Sequence, residues 1–401
     1  MSRDEQPRER LPLGALLALA MTGFICIVTE TLPAGLLPEI GSGLGVSPSF
    51  AGQMVTVYAL GSLLAAIPLT IATQSWRRRT VLLLTILGFL LFNSVTALSS
   101  DYWLTLVARF FAGVSAGLAW SLIAGYARRM VVPQLQGRAL AVAMVGTPIA
   151  LSLGVPLGTW LGGFMGWRMA FGLMSGMTVV LIAWVLIKVP DYPGQSSSQR
   201  MALREVFSTP GVRPVLAVVF TWMLAHNILY TYVAPFVAKA GLANDVDLVL
   251  LAFGVAALVG IWVTGRLVDG YLRTTVLASL ATFAAVAVFL GLFSGSALAI
   301  YTGVFIWGLT FGGAATLLQT ALADSAGEGA DVALSMNVVV WNSAIAGGGL
   351  LGGVLLGQWG VSTFPWVLLV LLLVSLGIAS QAREHGFAQG DRQSGQVVAG
   401  H

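Results

Sequence analysis

The chain has little charge, one cysteine and three histidines. Only 9% of its 401 residues are Asp, Glu, Lys or Arg, against roughly 25% in soluble globular domains. Water therefore does not surround most of this protein. Cys26 alone cannot form an internal disulfide or a cysteine metal cluster, and the histidines add few ligands. We expect no metal ion and no cofactor.

Motifs for catalysis and nucleotide binding are also missing. The chain has no GxxxxGK[ST] phosphate loop, no HExxH, and no evident catalytic carboxylate pair or Ser-His-Asp group. We therefore predict that it is not an enzyme and that ATP does not drive it. Its formal charge of +4 does not indicate nucleic acid, because cytoplasmic loops of membrane proteins carry such a surplus.

Apolar residues dominate instead, at 57% of the chain and a mean hydropathy of +0.89. At ~20 residues per crossing, the apolar runs predict an all-α membrane protein of twelve transmembrane helices. Their unbroken length excludes a barrel of alternating strands. The predicted spans are 13–37, 51–73, 80–98, 102–125, 138–161, 167–188, 214–237, 247–269, 274–293, 297–319, 332–358 and 363–380.

A polar stretch in mid-chain divides these spans into two groups of six. We interpret it as a linker between two six-helix bundles, with a short surface helix at Leu203–Ser208. The predicted units are a cytoplasmic N-terminal tail 1–12, a first bundle 13–189, a linker 190–213, a second bundle 214–380 and a disordered C-terminal tail 381–401.

Lysine and arginine define the orientation. With the N-terminus in the cytoplasm, all but three of the 20 Lys and Arg residues lie on the cytoplasmic side, as the positive-inside rule requires. The exceptions are Arg168 and Lys239 outside and Arg109 within the membrane. We therefore predict that both termini are cytoplasmic.

The two bundles resemble each other in sequence. The fifth span contains Gly154, Pro156 and Gly158, and the eleventh has a matching glycine cluster at 347–353, roughly 200 residues later. Such a parallel repeat is typical of a transporter whose site lies between its bundles. The glycines and proline of the fifth span could form a hinge, or simply allow tight packing.

Ionisable side chains within the spans are rare, and Glu30 and Arg109 are two of them. Burying a charge there costs roughly 3 kcal/mol unless it is paired or reaches water. Their depths differ by only about 5 Å, so the two can form a pair. We interpret Glu30 as the proton-carrying group and Arg109 as the cation that sets its proton affinity; a fixed tie between two helices is the alternative.

Several polar and aromatic residues are candidates for lining a substrate cavity. A histidine near mid-membrane can titrate or contact a polar solute, and amides can bind a polar ligand or tie helices together. The tryptophans line a cavity or serve in packing. The candidates are His226, Asn227, Tyr230, Asn337, Asn342, Trp120 and Trp307.

Three stretches carry a family resemblance. Thr29-Glu30 with the following Gly35–Ile40, the fourth-span segment Leu106–Gly113 around Arg109, and Gly154–Gly158 resemble motifs of the major facilitator superfamily. The resemblance is greatest to its twelve-helix drug:proton antiporter branch, and within it to bacterial sugar and arabinose efflux permeases. One departure lies in the loop after the second span, which keeps Arg77, Arg78 and Arg79 but has Gln74 at the family's acidic position.

The resemblance implies a proton-coupled efflux antiporter of the bacterial cytoplasmic membrane. It would act as a monomer in lipid and export a small sugar or drug-like solute by alternating access while protons enter. The family pattern assigns gating to Arg77, Arg78 and Arg79, and Asp269 retains the acid in the second bundle. A proton symporter or facilitator that imports a nutrient is the nearest alternative. A non-transporting membrane sensor is the alternative of another class.

Overall fold

The computed structural model describes residues 10–73, 75–132, 135, 139, 142–194 and 203–388. Within this part of the chain there is no β-strand, and twelve helices are long and apolar enough to cross a membrane. They are α1 Leu13–Gly35, α2 Pro48–Thr73, α3 Arg78–Leu98, α4 Tyr102–Arg129, α5 Val142–Met165, α6 Trp167–Lys188, α7 Val212–Thr231, α8 Val246–Val268, α9 Gly270–Phe293, α10 Ala297–Ala326, α11 Ala330–Gln358 and α12 Phe364–Gln381. The predicted all-α fold with twelve spans is confirmed.

Several predicted spans are interrupted, and at two of the breaks a separate short helix follows. The run 13–37 breaks at Leu36, and a separate short helix, Leu37–Leu44, follows α1. The run 214–237 breaks at Tyr232, whose backbone is not helical, and the helix Val233–Ala238 follows. The apolar composition continues across both breaks, so hydropathy alone does not show them.

Helix α5 contains an irregular turn. Residues Ala150–Gly154 form a π-helical segment that ends two residues before Pro156. Proline has no N–H to donate to the preceding turn, and π-segments often occur at functional sites. The fifth span, for which the sequence predicts a local bend, thus contains an irregular π-helical turn next to its proline.

The segments outside the spans are partly ordered. The predicted surface helix Leu203–Ser208 is present. Residues 382–388, predicted to begin a disordered tail, instead pack against the helices, because Phe387 is fully buried and Arg273 donates to its carbonyl. The predicted tail beyond 388 and most of the N-terminal tail, residues 1–9, lie outside the described residues.

Glycine–carbonyl contacts recur at equivalent positions within the two six-helix groups, the N half (13–189) and the C half (214–380). In the N half, Gly113 packs on the carbonyl of Tyr58 where α4 crosses α2, with no room for a Cβ atom. In the C half, Gly312 packs in the same way on the carbonyl of Ala257 where α10 crosses α8. The offset of about 200 residues is the same, as a parallel repeat requires.

The helix ends define two faces of the molecule. The basic face has Arg77, Arg79, Arg128 and Arg129 at the ends of α2, α3 and α4. The opposite face includes Lys239. The halves pack against each other through α2 with α11 and through α5 with α8, where Gly254 lies against the backbone of Ser152. The candidate site lies along this interface.

Candidate functional site

Arg109 is fully buried in the N half, with 0% of its surface exposed. The close crossing at Gly113, one turn further along α4, brings it against α2. Its Nε donates to the carbonyl of Met54 at 3.3 Å, and its Nη2 donates to the main-chain carbonyl of Glu30 at 3.4 Å. Arg109 therefore links the main chains of α1, α2 and α4.

Two aromatic rings flank this guanidinium group. The Cζ atom of Arg109 lies 4.8 Å from the ring centre of Tyr58 and 5.6 Å from that of Phe171. The Tyr58 hydroxyl donates to the carbonyl of Cys26 at 3.0 Å, which holds the ring in place. Cation–π attraction is stronger away from water, so the rings replace part of the lost hydration. Among the described residues, Nη1 of Arg109 has no hydrogen-bond partner.

Glu30 is also buried, at 7% exposure. In the part of the chain that the structure describes, its carboxylate forms no ion pair with Arg109, which contacts the main chain of Glu30 instead. Helix α1, which carries Glu30, packs against α7 of the C half, so Glu30 lies on a helix where the two halves meet. The two residues predicted to be neighbours meet through the Glu30 backbone, and their charges are not joined directly.

The C half has aromatic rings in its interior. The His226 ring stacks on Phe311, with 3.5 Å between ring centres and 5° between planes. Tyr230 lies 5.2 Å from His226, and Phe253 lies 4.6 Å from Trp307. These contacts bring three predicted cavity residues from α7 and α10 together. The aromatic cluster consists of His226, Tyr230, Phe253, Phe283, Trp307 and Phe311.

Polar atoms of the aromatic cluster are buried without partners. Among the described residues, Nδ1 of His226, the hydroxyl of Tyr230 and Nε1 of Trp307 form no hydrogen bond. Most buried polar atoms in proteins are paired, so an unpaired group is a candidate contact for a bound solute or for another state of the protein.

The other predicted cavity residues do not take part in these ring contacts. Asn227 and Asn342 each donate to a carbonyl one turn earlier in their own helix, at 2.7 Å and 2.9 Å. Asn337 is 4% exposed, and its side-chain oxygen has no partner among the described residues. Trp120 lies in the N half, against Gly23 of α1.

The predicted hinge residues of α5 pack on α1. Gly154 lies against Phe24, and Gly158 lies against a methyl group of Leu32, so each allows a close approach of the two helices. Pro156 is buried as well. The structure thus gives these residues a packing contact, and the adjoining π-segment provides the irregular backbone that a hinge needs.

The arginines after α2 are held by the segment that follows α6. Arg77 forms an ion pair of 2.5 Å with Asp191, whose other oxygen accepts from the backbone N–H of Arg79 at 3.1 Å. The backbone N–H of Arg78 donates to the carbonyl of Tyr192 at 2.9 Å. The loop between α2 and α3 is therefore fixed to the beginning of the linker.

Asp191 is a functional candidate that sequence reasoning missed. Gln74, at the family's acidic position, lies outside the described residues, and so does the side chain of Asp269. Asp191, at the beginning of the linker, provides an acid that contacts Arg77 and Arg79. Its position just after α6, on the same face as the arginines, was the available signal.

The halves are joined by hydrogen bonds near the opposite face. The Tyr232 hydroxyl donates to the carbonyl of Gly349 in α11 at 2.7 Å. The Gln53 amide in α2 donates to the same carbonyl at 3.3 Å and lies 3.3 Å from the Tyr232 hydroxyl. A small apolar cluster extends this contact between α2 and α11. It consists of Val55, Ala59, Ile345 and Ala346.

Two related halves of six spans, joined at one face with polar groups at their interface, are the body plan of a secondary transporter. A sequence profile of the Major Facilitator Superfamily matches residues 19–349, and the chain belongs to this family. It is therefore a multi-pass membrane protein that transports small molecules, and the prediction that it is not an enzyme is confirmed.

The relatives include efflux pumps. The chain is 31% identical to the purine ribonucleoside efflux pump NepI of Escherichia coli O6:K15:H31 (strain 536 / UPEC), over 92% of this chain and 94% of that one. It is 30% identical to the protein of the same name from Escherichia coli (strain K12), with the same coverage. These matches support efflux as the direction of transport.

A solved structure shares the fold. The crystal structure of the human organic anion transporter MFSD10 (TETRAN) matches 92% of this chain and 97% of its own, with a TM-score of 0.65 and 18% sequence identity. At this identity the likeness concerns the fold alone, and it agrees with the predicted major facilitator architecture.

Proposed function

We propose that this protein is a proton-coupled efflux antiporter. The observation that carries the proposal is a buried carboxyl group, that of Glu30, at the interface of the two halves and beside the buried cation of Arg109. In this scheme Glu30 carries the proton, and Arg109 sets the electrostatic field in which it titrates. The coupling ion is the proton, with no metal and no cofactor.

Coupling follows from the position of Glu30. A charged carboxylate held out of water is costly, while a protonated one is cheaper to bury. Rearranging the halves changes what surrounds this group, so its proton occupancy and the arrangement of the halves depend on each other. A solute that prefers one arrangement then shifts the same equilibrium, and proton entry drives solute export.

For the cargo we propose a purine ribonucleoside or a compound like it. The named relatives are purine ribonucleoside efflux pumps. The aromatic cluster supports this choice, because aromatic side chains favour stacked contacts with other planar rings. Its unpaired polar atoms can bind polar groups of a base. Sugars and drug-like amphiphiles, expected from the sequence, are the competing cargo classes.

The orientation follows the positive charges. We propose that the basic face lies in the cytoplasm, with both termini, and that the protein acts as a monomer in the bacterial inner membrane. The opposite face, joined through Tyr232 and Gly349, is then external. In this assignment the structure represents the state that is closed to the outside.

The proposal is tested with purified protein in liposomes. When the basic face of the protein points into the liposome lumen, the lumen corresponds to the cytoplasm. We then expect a proton gradient directed into the lumen to drive labelled inosine out of it. Glu30→Gln keeps the shape of the side chain but cannot exchange a proton, so it should abolish gradient-driven flux. Glu39→Gln is the matched control, because Glu39 is exposed on the short helix after α1 and should retain wild-type flux.

Two results would contradict the proposal. Undiminished gradient-driven flux in Glu30→Gln would remove Glu30 from the coupling scheme. Inosine moving in the same direction as the protons would identify a symporter instead.

The cargo is tested separately by thermal stability. A ligand that binds the native state raises its apparent stability, by roughly 2.7 kcal/mol at a hundred times its Kd. We expect purine nucleosides to raise the melting temperature more than arabinose or a cationic drug at equal concentration. A shift with sugars alone would replace the nucleoside as the proposed cargo.

A further inference from the structure

The side chain of Gln53, on α2, reaches from the N half into the C half. Its amide nitrogen lies 3.3 Å from the carbonyl oxygen of Gly349 in α11 and 3.3 Å from the hydroxyl of Tyr232 at the end of α7. The same nitrogen lies 3.1 Å from the carbonyl oxygen of Ser49, one turn earlier in α2. One amide group therefore joins two helices of the C half to one helix of the N half.

The two acceptors in the C half are already bonded to each other. Tyr232 is fully buried, and its hydroxyl donates to the carbonyl of Gly349 at 2.7 Å. When the halves separate, these two residues keep their bond, and the Gln53 amide keeps its contact with Ser49 or turns to water. Because separation leaves no group of this contact buried and unpaired, the contact can be broken and formed again at small cost.

The helix surfaces around Gln53 meet without interlocking side chains. Gly353 of α11 lies against the Gln53 amide, and Gly52 of α2 lies against the ring of Tyr232, with no room for a Cβ atom at either glycine. On α11, Gly349 lies one turn before Gly353, on the same face. Glycines let two backbones approach closely and have no side chains that must disengage when the helices part. Hydrogen bonds are therefore the main directional contact at this end of α2 and α11.

Two short helices meet at the same end of the interface. Helix α7 breaks at Tyr232, and the short helix Val233–Ala238 follows. It packs against the short helix Leu37–Leu44, which follows the break after α1 in the N half. The Gln53 contact thus lies where each half contributes a separate helical piece to the opposite face.

We propose that Gln53 is the latch residue that holds the halves together at the opposite face and releases them during transport. It touches neither Glu30 nor the aromatic cluster, so it acts on which arrangement of the halves is populated. The inference goes beyond the proposed function and takes from it only that the halves alternate. Each hydrogen bond adds a small net stabilisation, so loss of both cross-half contacts should shift the ratio of open to closed protein by about tenfold.

The test measures the distance between the halves directly. Spin labels are attached at Ser42→Cys in the N half and Asn244→Cys in the C half, both exposed positions on the opposite face. The background carries Cys26→Ala, so that only these two sites are labelled. Gln53→Met keeps the length of the side chain and removes its N–H donors. We expect double electron–electron resonance to show the ratio of long to short distances raised about tenfold in this variant.

Two further variants separate the latch from general loosening. Tyr232→Phe removes one of the two acceptors and leaves Gln53 its contact with Gly349, so it should open the protein less than Gln53→Met does. Gln358→Ala is the matched control, because Gln358 is an exposed glutamine at the same end of α11. Its distance distribution should equal that of the wild type.

Folding and transport are checked independently. Thermal melting of Gln53→Met should stay near the wild-type value, because Tyr232 and Gly349 keep their bond within the C half. A folded Gln53→Met variant with the wild-type distance distribution overturns the latch, as does an equal shift in Gln358→Ala. Wild-type protein that shows no proton-driven flux overturns the proposed function instead and leaves the distance result intact, so the two failures are distinguishable.

Discussion

The two halves of the protein share a backbone arrangement and differ in what fills it. In the N half, Arg109 reaches across the α2–α4 crossing and donates to the carbonyl of Met54. At the corresponding crossing of α8 and α10, Gly308 packs directly on the carbonyl of Phe253. At equivalent positions, a helix carbonyl accepts from an arginine side chain in the N half and lies against a glycine in the C half.

This difference has a consequence for the space around each crossing. The long side chain of Arg109 places a positive charge in the interior of the N half, where it contacts the ring of Tyr58 and the carbonyl of Glu30. The C half, without a charge there, has the aromatic cluster. One fold repeat thus contains the buried Glu30 and Arg109 and the other contains stacked aromatic rings, which matches a division between proton binding and cargo binding in the proposed function.

The largest expected effect comes from disrupting the glycine–carbonyl contact that occurs within each half, at Gly113 in the N half and at Gly312 in the C half. Gly113→Val and Gly312→Val each force a branched side chain onto the backbone of a neighbouring helix. Overpacking costs typically 1–3 kcal/mol where side chains can adjust, and here main chains must move. We expect little monodisperse protein in size-exclusion chromatography for either variant, and a lowered melting temperature in what remains.

Gly176→Val is the matched control, because a Cβ atom at this exposed α6 position meets no other atom within 4 Å. Normal yield and stability are expected for it. If only one of the two crossing variants were damaged, the structural equivalence of the halves would have to be abandoned.

Much of this architecture follows from the sequence, because a bilayer imposes long apolar runs on any helix that crosses it. The breaks at Leu36 and Tyr232 were missed, since the apolar composition continues across them. Glu30 and Arg109 stood out because charge is rare in the spans. The sequence spacing gave no indication that the guanidinium would contact the Glu30 backbone rather than its carboxylate.

Contacts between distant segments were the least predictable. Asp191 meets Arg77 although they are 114 residues apart, and Tyr232 meets Gln53 across the two halves. Nothing in local periodicity relates such residues. The aromatic cluster likewise joins residues of four helices, so the sequence predicts only its members His226, Tyr230 and Trp307, each as a separate polar or aromatic candidate.

A smaller effect is expected from altering the charge that distinguishes the N half. Arg109→Ala leaves the carbonyls of Met54 and Glu30 without a donor, which costs about 1–3 kcal/mol of stability for each unsatisfied buried acceptor. It also removes the charge that sets the field at Glu30, so gradient-driven inosine flux should fall strongly. Arg109→Lys keeps a charge but loses the guanidinium fork, so it should retain more gradient-driven inosine flux than the alanine variant. Inosine binding, measured by thermal shift, should persist in the lysine variant.

Arg266→Ala provides the comparison from the C half, because Arg266 is exposed at the basic end of α8 and contacts Trp262. Its flux should remain near that of the wild type. Normal proton-driven flux in Arg109→Ala would show that the buried cation has no part in coupling and would leave the contrast between the halves without functional meaning.

The smallest expected effect concerns the aromatic cluster. A substitution there should weaken inosine binding and leave proton coupling unchanged, whereas Arg109→Lys should weaken proton-driven flux and leave inosine binding unchanged. Phe311→Leu removes the ring that stacks on His226 at 3.5 Å. An aromatic pair is worth about 0.5–1.5 kcal/mol, so inosine affinity by calorimetry should fall about 3- to 10-fold, while the pH profile of flux remains unchanged. Phe289→Leu, a half-buried position outside the cluster, should alter neither. A shifted pH profile with unchanged affinity in Phe311→Leu would place proton control in the C half and overturn the proposed division between the halves.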